Sequence, residues 1–237
     1  MSDWALFGII MGIILSLGII SQIVSSNFKK KRMEYSSIPS SASKTGAQVA
    51  EEILSKNNIK NVQIVKDSKE GRDHYDPHKN IIVLSPSVYD SSSIAAIAIA
   101  AHETGHAIQW GHREIGIRIR DTIAKPVMIV NQLTSAVLSM WILLAIFGVF
   151  VEAVLWLGLV MYASTAIFQL ATLPVEYGAS RKAKQQLIEL GYTSNPDEIA
   201  GTKSLLTAAA NTYLIATLST LIMLATYILL ILARSRR

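Results

Sequence analysis

Apolar positions in this chain fall into three long, nearly uninterrupted runs, with two polar stretches between them. Residues 4–24, "WALFGIIMGIILSLGIISQIV", and residues 214–232 carry no charge, and residues 126–173 carry only Glu152. A membrane-crossing helix needs about 20 apolar residues. The first and last runs therefore predict one span each. The middle run is too long for a single span and predicts a helical hairpin that turns at residues 148–152. The fold class expected is a mainly α membrane protein with about four transmembrane helices.

Within the polar stretches the pattern changes period. A Ser-rich connector, "SSIPSSASKTG", leads into "TGAQVAEEILSKNNI", where Ala47, Ala50, Ile53 and Leu54 recur at helical spacing behind Thr45 as a capping residue. "NVQIVK" alternates as a short strand, "DSKEGRD" turns, and "NIIVLS" is a second β-branched run. A helix over about residues 91–109 follows, with "DSSS" as its N-terminal signal, and "LPVEYGASRKAKQQLIEL" reads as a proline followed by a charged helix that stops at Gly191. The expected organisation is an N-terminal transmembrane helix (1–25), a small α+β domain (26–125), the hairpin (126–173), a helical segment (174–204) and a C-terminal transmembrane helix (205–237).

A hairpin returns the chain to the side it left, so both polar stretches face one compartment. Lys29, Lys30, Lys31 and Arg32 directly follow the first run, and Arg113, Arg118, Arg120 and Lys125 precede the second. By the positive-inside rule this places the polar stretches in the cytoplasm of a multi-pass protein of the cell membrane. The final "RSRR" opposes that assignment, because four spans leave it outside; the last span then does not cross fully, or the count is off by one. The first run has no basic n-region and no small-residue cleavage site, so it is read as an anchor and not as a removed signal. The net charge of +5 is concentrated beside the spans, where it favours anionic lipid head groups. No interleaving of basic and aromatic residues points to nucleic acid. The absence of cysteine excludes disulfides and thiolate metal ligands. Asn131, Gln132, Gln169 and Asn211 lie within the expected spans, where inter-helix hydrogen bonds or a substrate groove would account for them.

The chemistry is concentrated in "AAHETGHAIQW", residues 100–110. At about 100° per residue, His102 and His106 sit only ~40° apart on one face of a helix, one turn above the other. Two imidazoles so placed can converge on a zinc ion ~2 Å from each nitrogen. Glu103 is too short to join them comfortably, yet it is placed to take a proton from a water that zinc has acidified. This is the H-E-x-x-H arrangement of zinc peptidases. A polar triplet on an otherwise apolar alanine-rich helix is costly to bury unless something compensates, and a metal does. Of the remaining groups, His112 lies almost on the opposite face. Glu176 follows the third span and could be the third ligand, or simply a glutamate favoured at a helix N-terminus.

With these residues the chain resembles the membrane-bound neutral zinc metallopeptidases of bacteria, the YugP-like family, and more remotely the HtpX-type membrane peptidases. The resemblance runs over the first span, "TGAQVAEEIL", "DHYDPHKNIIVLSPSVYDSSSIAAIAIAAHETGHAIQ", the hairpin, "PVEYGASRKA" and "LLTAAANTYLIATL". It implies a zincin-like catalytic domain and makes Glu176 the third zinc ligand beside His102 and His106. Two positions depart from it. Ser180 stands where the HtpX-like motif has aspartate, and Gly178 where the YugP-like pattern leads one to expect an acidic residue. Carboxylates of that kind orient metal-binding histidines, so the group that steadies His102 or His106 is open, with Ser180 a weaker candidate.

The expected activity is hydrolysis of a peptide or protein substrate, with Zn2+ held by His102, His106 and Glu176 and with Glu103 as general base and then proton donor. His74, Tyr75 or Tyr177 could donate to the oxyanion, although His74 and Tyr75 in "DHYDPHKN" could equally shape a turn. "NIIVLS" is expected at a sheet edge, where it could align an extended substrate by strand addition, or to be an ordinary sheet strand. By analogy the role would be membrane-protein quality control or processing. The rival readings are a non-catalytic zinc-binding membrane scaffold or adaptor, which has no need of Glu103, and a site-2-type intramembrane protease, whose aspartate-glycine ligand motif is absent.

Overall fold

The computed structural model describes residues 3–149 and 152–235 and is mainly helical. Its elements are α1 (Asp3–Ser36), α2 (Gly46–Lys56), β1 (Gln63–Lys66), β2 (His74–Asp76), β3 (Ile81–Leu84), α3 (Pro86–Tyr89), α4 (Ile94–Gly111), α5 (Ile115–Ile146), α6 (Glu152–Glu189) and α7 (Pro196–Ser235). The chain forms two compact units, one of residues 1–23, 119–173 and 213–237, the other of residues 24–118 and 174–212. All four boundaries between them fall inside helices.

The first unit is built from apolar lengths of α1, α5, α6 and α7. Ile10, Met223, Tyr227 and Leu230 form its buried centre, and large apolar side chains such as Leu15, Val160 and Leu229 point outward. Thr165 on α6 donates to the Asn131 side chain on α5 at 2.7 Å, the inter-helix bond expected of a polar group in such a run. Among the described residues three helical stretches are long and apolar enough to cross a membrane, Phe7–Ser36, Trp156–Glu189 and Pro196–Leu232. Phe150 and Val151, in the expected hairpin turn, and Arg236 and Arg237 of the basic tail lie outside the described residues.

The second unit is an α+β assembly around α4. Ser93 caps that helix, its hydroxyl accepting from the Ala96 amide at 3.2 Å. One side of α4 packs Ile97, Ala98 and Ala101 against Val49, Ala183, Leu187, Leu205 and Leu206. The other packs Ala96, Ala100 and Ala107 against Ala50, Leu54, Ile82, Leu84 and Val88. A helix covered on both sides must be apolar nearly all round, and small side chains let its neighbours come close. That is why the segment reads as a featureless alanine-isoleucine run. Thr45 caps α2 in a full capping box with Gln48.

The sheet has the order β1-β3-β2, with β1 parallel and β2 antiparallel to β3. "NIIVLS" therefore supplies the central strand and not an edge: both sides of β3 are paired, which leaves no ladder for an added substrate strand. "DHYDPHKN" forms an edge strand in part; three residues is too short a run for alternation to register in sequence. Two helices also run longer than their patterns indicated. α1 continues through the basic cluster to Ser36, and α6 passes through Pro174 without a break. Proline removes one backbone donor from a helix interior, but here the flanking turns carry the helix across.

The basic cluster after the first run is partly internal. Lys31 donates to Ser204 Oγ at 2.6 Å, and Arg32 pairs with Asp73 at 2.9 Å. Asp73 also accepts from the Ser85 amide and hydroxyl, both at 2.7 Å, so one buried carboxylate joins α1 to the start of β2 and the end of β3. Replacing Asp73 by alanine leaves Arg32 and Ser85 without this acceptor. The expected cost is about 3 kcal/mol of stability, to be read as a lowered unfolding midpoint of the detergent-solubilised protein.

Candidate metal centre

His102 and His106 occupy successive turns of α4, with ring centroids 4.8 Å apart and ring planes at 84°. Facing them, Glu176 projects from α6 and is only 1% exposed. Its Oε2 lies 3.3 Å from His102 Nε2 and 3.5 Å from His106 Nε2. One ligand atom from each of the three residues falls within 4.8 Å of the others, the one such group among the described residues.

The two helices can meet here because position 105, inside the motif, is glycine. A Cβ at Gly105 would sit 2.7 Å from the Ala179 carbonyl oxygen and 3.1 Å from Ala179 Cα. Backbone packs on backbone, and Glu176, nearly one turn before Ala179, is carried to the histidines. The sequence shows HETGH as one motif, yet its glycine serves the fold while its histidines serve the site.

Each imidazole is held through its other nitrogen. Ser180 Oγ lies 3.2 Å from His102 Nδ1, so this serine meets the histidine despite standing where the HtpX-like motif has aspartate. Gln109 Oε1 lies 3.0 Å from His106 Nδ1, and Gln109 Nε2 donates to the Val175 carbonyl at 2.9 Å. Reasoning from sequence passed over Gln109. Its spacing of three from His106, on one helix face, was the signal available.

Glu103 is 9% exposed. Burial pushes its carboxyl up to about 7; the charge of His102 opposes this, Glu176 and Asp73 add to it, and His74 opposes it. The candidate base thus lies within electrostatic reach of both the triad and β2. His74 is exposed on β2, with Nδ1 2.7 Å from the Arg72 carbonyl. Side chains alternate along a strand, and Tyr75 packs against the core between α4 and the sheet, where burial raises its hydroxyl to about 12. Tyr177 is 43% exposed on α6. His112 caps the C-terminus of α4, and His78 makes an edge contact with Trp110, so neither belongs to the triad.

A family model described as "Putative neutral zinc metallopeptidase" matches residues 9–232. The chain belongs to this family. It is also 34% identical over 209 residues to "Putative membrane protease YugP" of Bacillus subtilis (strain 168), a match that covers 88% of each chain. No solved structure matches it significantly. The family implies zinc, and the donor set fits it. Bonds of about 2.0–2.1 Å in a tetrahedral site put neighbouring donor atoms ~3.3–3.4 Å apart, against the 3.3 and 3.5 Å separations from Glu176 to the histidines. Two imidazoles and one carboxylate are three donors, the number of protein ligands a catalytic zinc takes.

Two measurements test this geometry. Gly105→Ala should force α4 and α6 apart, costing about 1–3 kcal/mol and weakening zinc binding, measured by unfolding and by metal content. The second uses metal-free protein. An acid whose folded pKa lies above its ordinary 4.5 keeps a proton that the unfolded chain has lost, so its contribution to stability falls as pH rises from 4.5 to about 7. Metal-free Glu103→Gln should therefore exceed wild type in stability by about 3 kcal/mol above that window. The gap should close toward pH 4.5.

Proposed function

We propose that this family member is a membrane-anchored zinc peptidase that hydrolyses peptide bonds in peptide or protein substrates. The observation that carries the reading is the convergence of His102, His106 and Glu176 beside the buried carboxylate of Glu103. A structural metal site is closed and needs no neighbouring base. Here three candidate ligands come together, and the residue after the first of them is a buried carboxylate with a raised pKa.

In this mechanism the two histidines and Glu176 hold the metal. Bound there, zinc supplies Lewis-acid polarisation of the scissile carbonyl and acidifies a water. Glu103 takes a proton from the attacking water and returns it to the leaving amine, and its burial suits it to that exchange near neutral pH. Ser180 and Gln109 keep the imidazoles turned toward the metal. His74 and Tyr75 are the candidate donors to the oxyanion, on opposite faces of β2. His74 is exposed, whereas Tyr75 packs against the core.

β2 pairs with β3 along one edge only and packs on α4. That supports β2, in place of "NIIVLS", as the strand on which an extended substrate aligns by strand addition. The four-span arrangement, with both polar stretches in the cytoplasm, follows from the apolar runs and the flanking basic residues. Substrates that are themselves membrane proteins, and a role in their quality control or processing, fit such an anchored enzyme.

The test compares wild type with Glu103→Gln and Glu176→Ala in detergent, measuring zinc per chain and hydrolysis of an unstructured protein substrate. Glu103→Gln should keep its zinc and lose hydrolysis by about 10²–10⁴-fold, and Glu176→Ala should lose zinc. Hydrolysis unaffected by Glu103→Gln would remove the proposed base. A wild type that binds zinc and cleaves nothing would favour the scaffold.

A further inference from the structure

This inference rests on the zinc site just proposed and concerns Gly178, one of the two departures from the family pattern, together with Gln109, the glutamine it faces. Gln109 is 2% exposed, and its amide spans the two helices that carry the ligands. Its NH₂ donates to the carbonyl of Val175, the residue before Glu176, and its carbonyl oxygen faces His106 Nδ1.

This arrangement permits one orientation and one tautomer. A backbone carbonyl can only accept, so the side of the amide facing Val175 is the nitrogen. The oxygen then faces His106, where it can only accept, so Nδ1 carries the proton. In the neutral ring a metal ligand presents, His106 Nε2, 3.5 Å from Glu176 Oε2, then carries the lone pair on the side of the triad. The carbonyl of one residue on α6 thus selects the tautomer of a candidate ligand on α4.

The amide has room because residue 178 lacks a side chain. A Cβ on Gly178 would sit 2.7 Å from Gln109 Nε2 and 3.9 Å from Gln109 Cδ, the contacts it would make beyond its own stretch of helix. Glycine in a helix interior carries an entropic penalty relative to alanine, and the turn here demands no glycine conformation, since Gly178 is not among the positive-φ residues. Among the described residues outside its own helical turn, this amide is what a side chain at 178 would meet. An acidic side chain at 178, as the YugP-like pattern led one to expect, would occupy the same seat.

We infer that Gln109 is the positioning residue for His106, and that Gly178 is its required partner: the glycine leaves the seat, and the glutamine fills it and fixes the histidine's tautomer and aim. Gln109 is not a catalytic residue in this scheme, because it touches neither the substrate nor the metal. Its effect should appear in how tightly the metal is held.

The experiment measures zinc affinity of the full-length detergent-solubilised protein, by competition with a chromogenic chelator, for wild type, Gln109→Ala, Gly178→Ala and the double variant. Unfolding midpoints of the metal-free proteins are recorded alongside. Gln109→Ala should weaken zinc binding about 10–100-fold, the usual effect of losing a group that orients a metal histidine. Gly178→Ala should weaken it to a similar degree by displacing the amide, although alanine is the better helix former and the metal-free midpoint should not fall. The double variant should be no weaker than Gln109→Ala, because the added methyl then meets an empty seat. That non-additivity separates positioning from a general loss of structure. Wild-type affinity in either single variant, or losses that add in the double variant, would overturn the inference. If Gly178→Ala proved too unstable to purify, the double variant against Gln109→Ala would still decide, since a further loss there means the glycine serves something other than this amide. A wild type that binds no zinc would instead sink the peptidase reading itself, a result distinct from any difference among these variants.

Discussion

The close crossing of α4 and α6 at Gly105 and Ala179 is the constraint on which the site depends. Glu176 lies far along the chain from the histidines, and no local preference brings them together. The contact is backbone on backbone, with the Ala179 carbonyl occupying the space a side chain at 105 would need. Because interiors pack without slack, a crossing fixed at one point fixes the residues one turn on either side. His102, His106, Glu176 and Ser180 all fall within that reach. The alanine-rich faces of α4, closed against α2 and the sheet on one side and against α6 and α7 on the other, keep the crossing from sliding.

Around it, hydrogen bonds turn proximity into aim. Ser180 and Gln109 each address the Nδ1 of one histidine, and both Nε2 atoms face the Glu176 carboxylate. Glu103 has the opposite environment. Burial dominates its pKa, which makes it the carboxylate in this cluster suited to gain and lose a proton near neutrality. Two buried glutamates on one site are thus assigned different work by their surroundings. Asp73 is a third acidic group nearby, but it is taken up by Arg32 and Ser85 and serves the scaffold.

Much of this was legible in residue order. The apolar runs, the capping box at Thr45 and Gln48, and the i, i+4 histidines are local signals, and local geometry expresses them wherever the segment sits. "NIIVLS" shows where legibility stopped. Its β character was plain, but whether a strand is central or at an edge depends on partners from elsewhere in the chain, and β1 and β2 enclose it. β2 itself was too short to show a period. The lysines and arginine of "KKKR" read alike as lipid-facing charge, whereas Lys31 and Arg32 turn toward Ser204 and Asp73. A helical face is set by what it packs on, which residue order does not display.

By itself the sequence determined the apolar helices and the helix that carries two histidines one turn apart with a glutamate beside the first, because each is encoded within a few turns of backbone. Glu176 was visible only as a candidate, and resemblance to a family raised it further. Tertiary structure alone decided that its carboxylate meets both imidazoles, that Ser180 serves His102, and that Gln109 reaches His106 across the space left by Gly178. These are contacts between side chains on separate helices, and their distances follow from how closely two backbones approach, a quantity set by the packing of the whole unit.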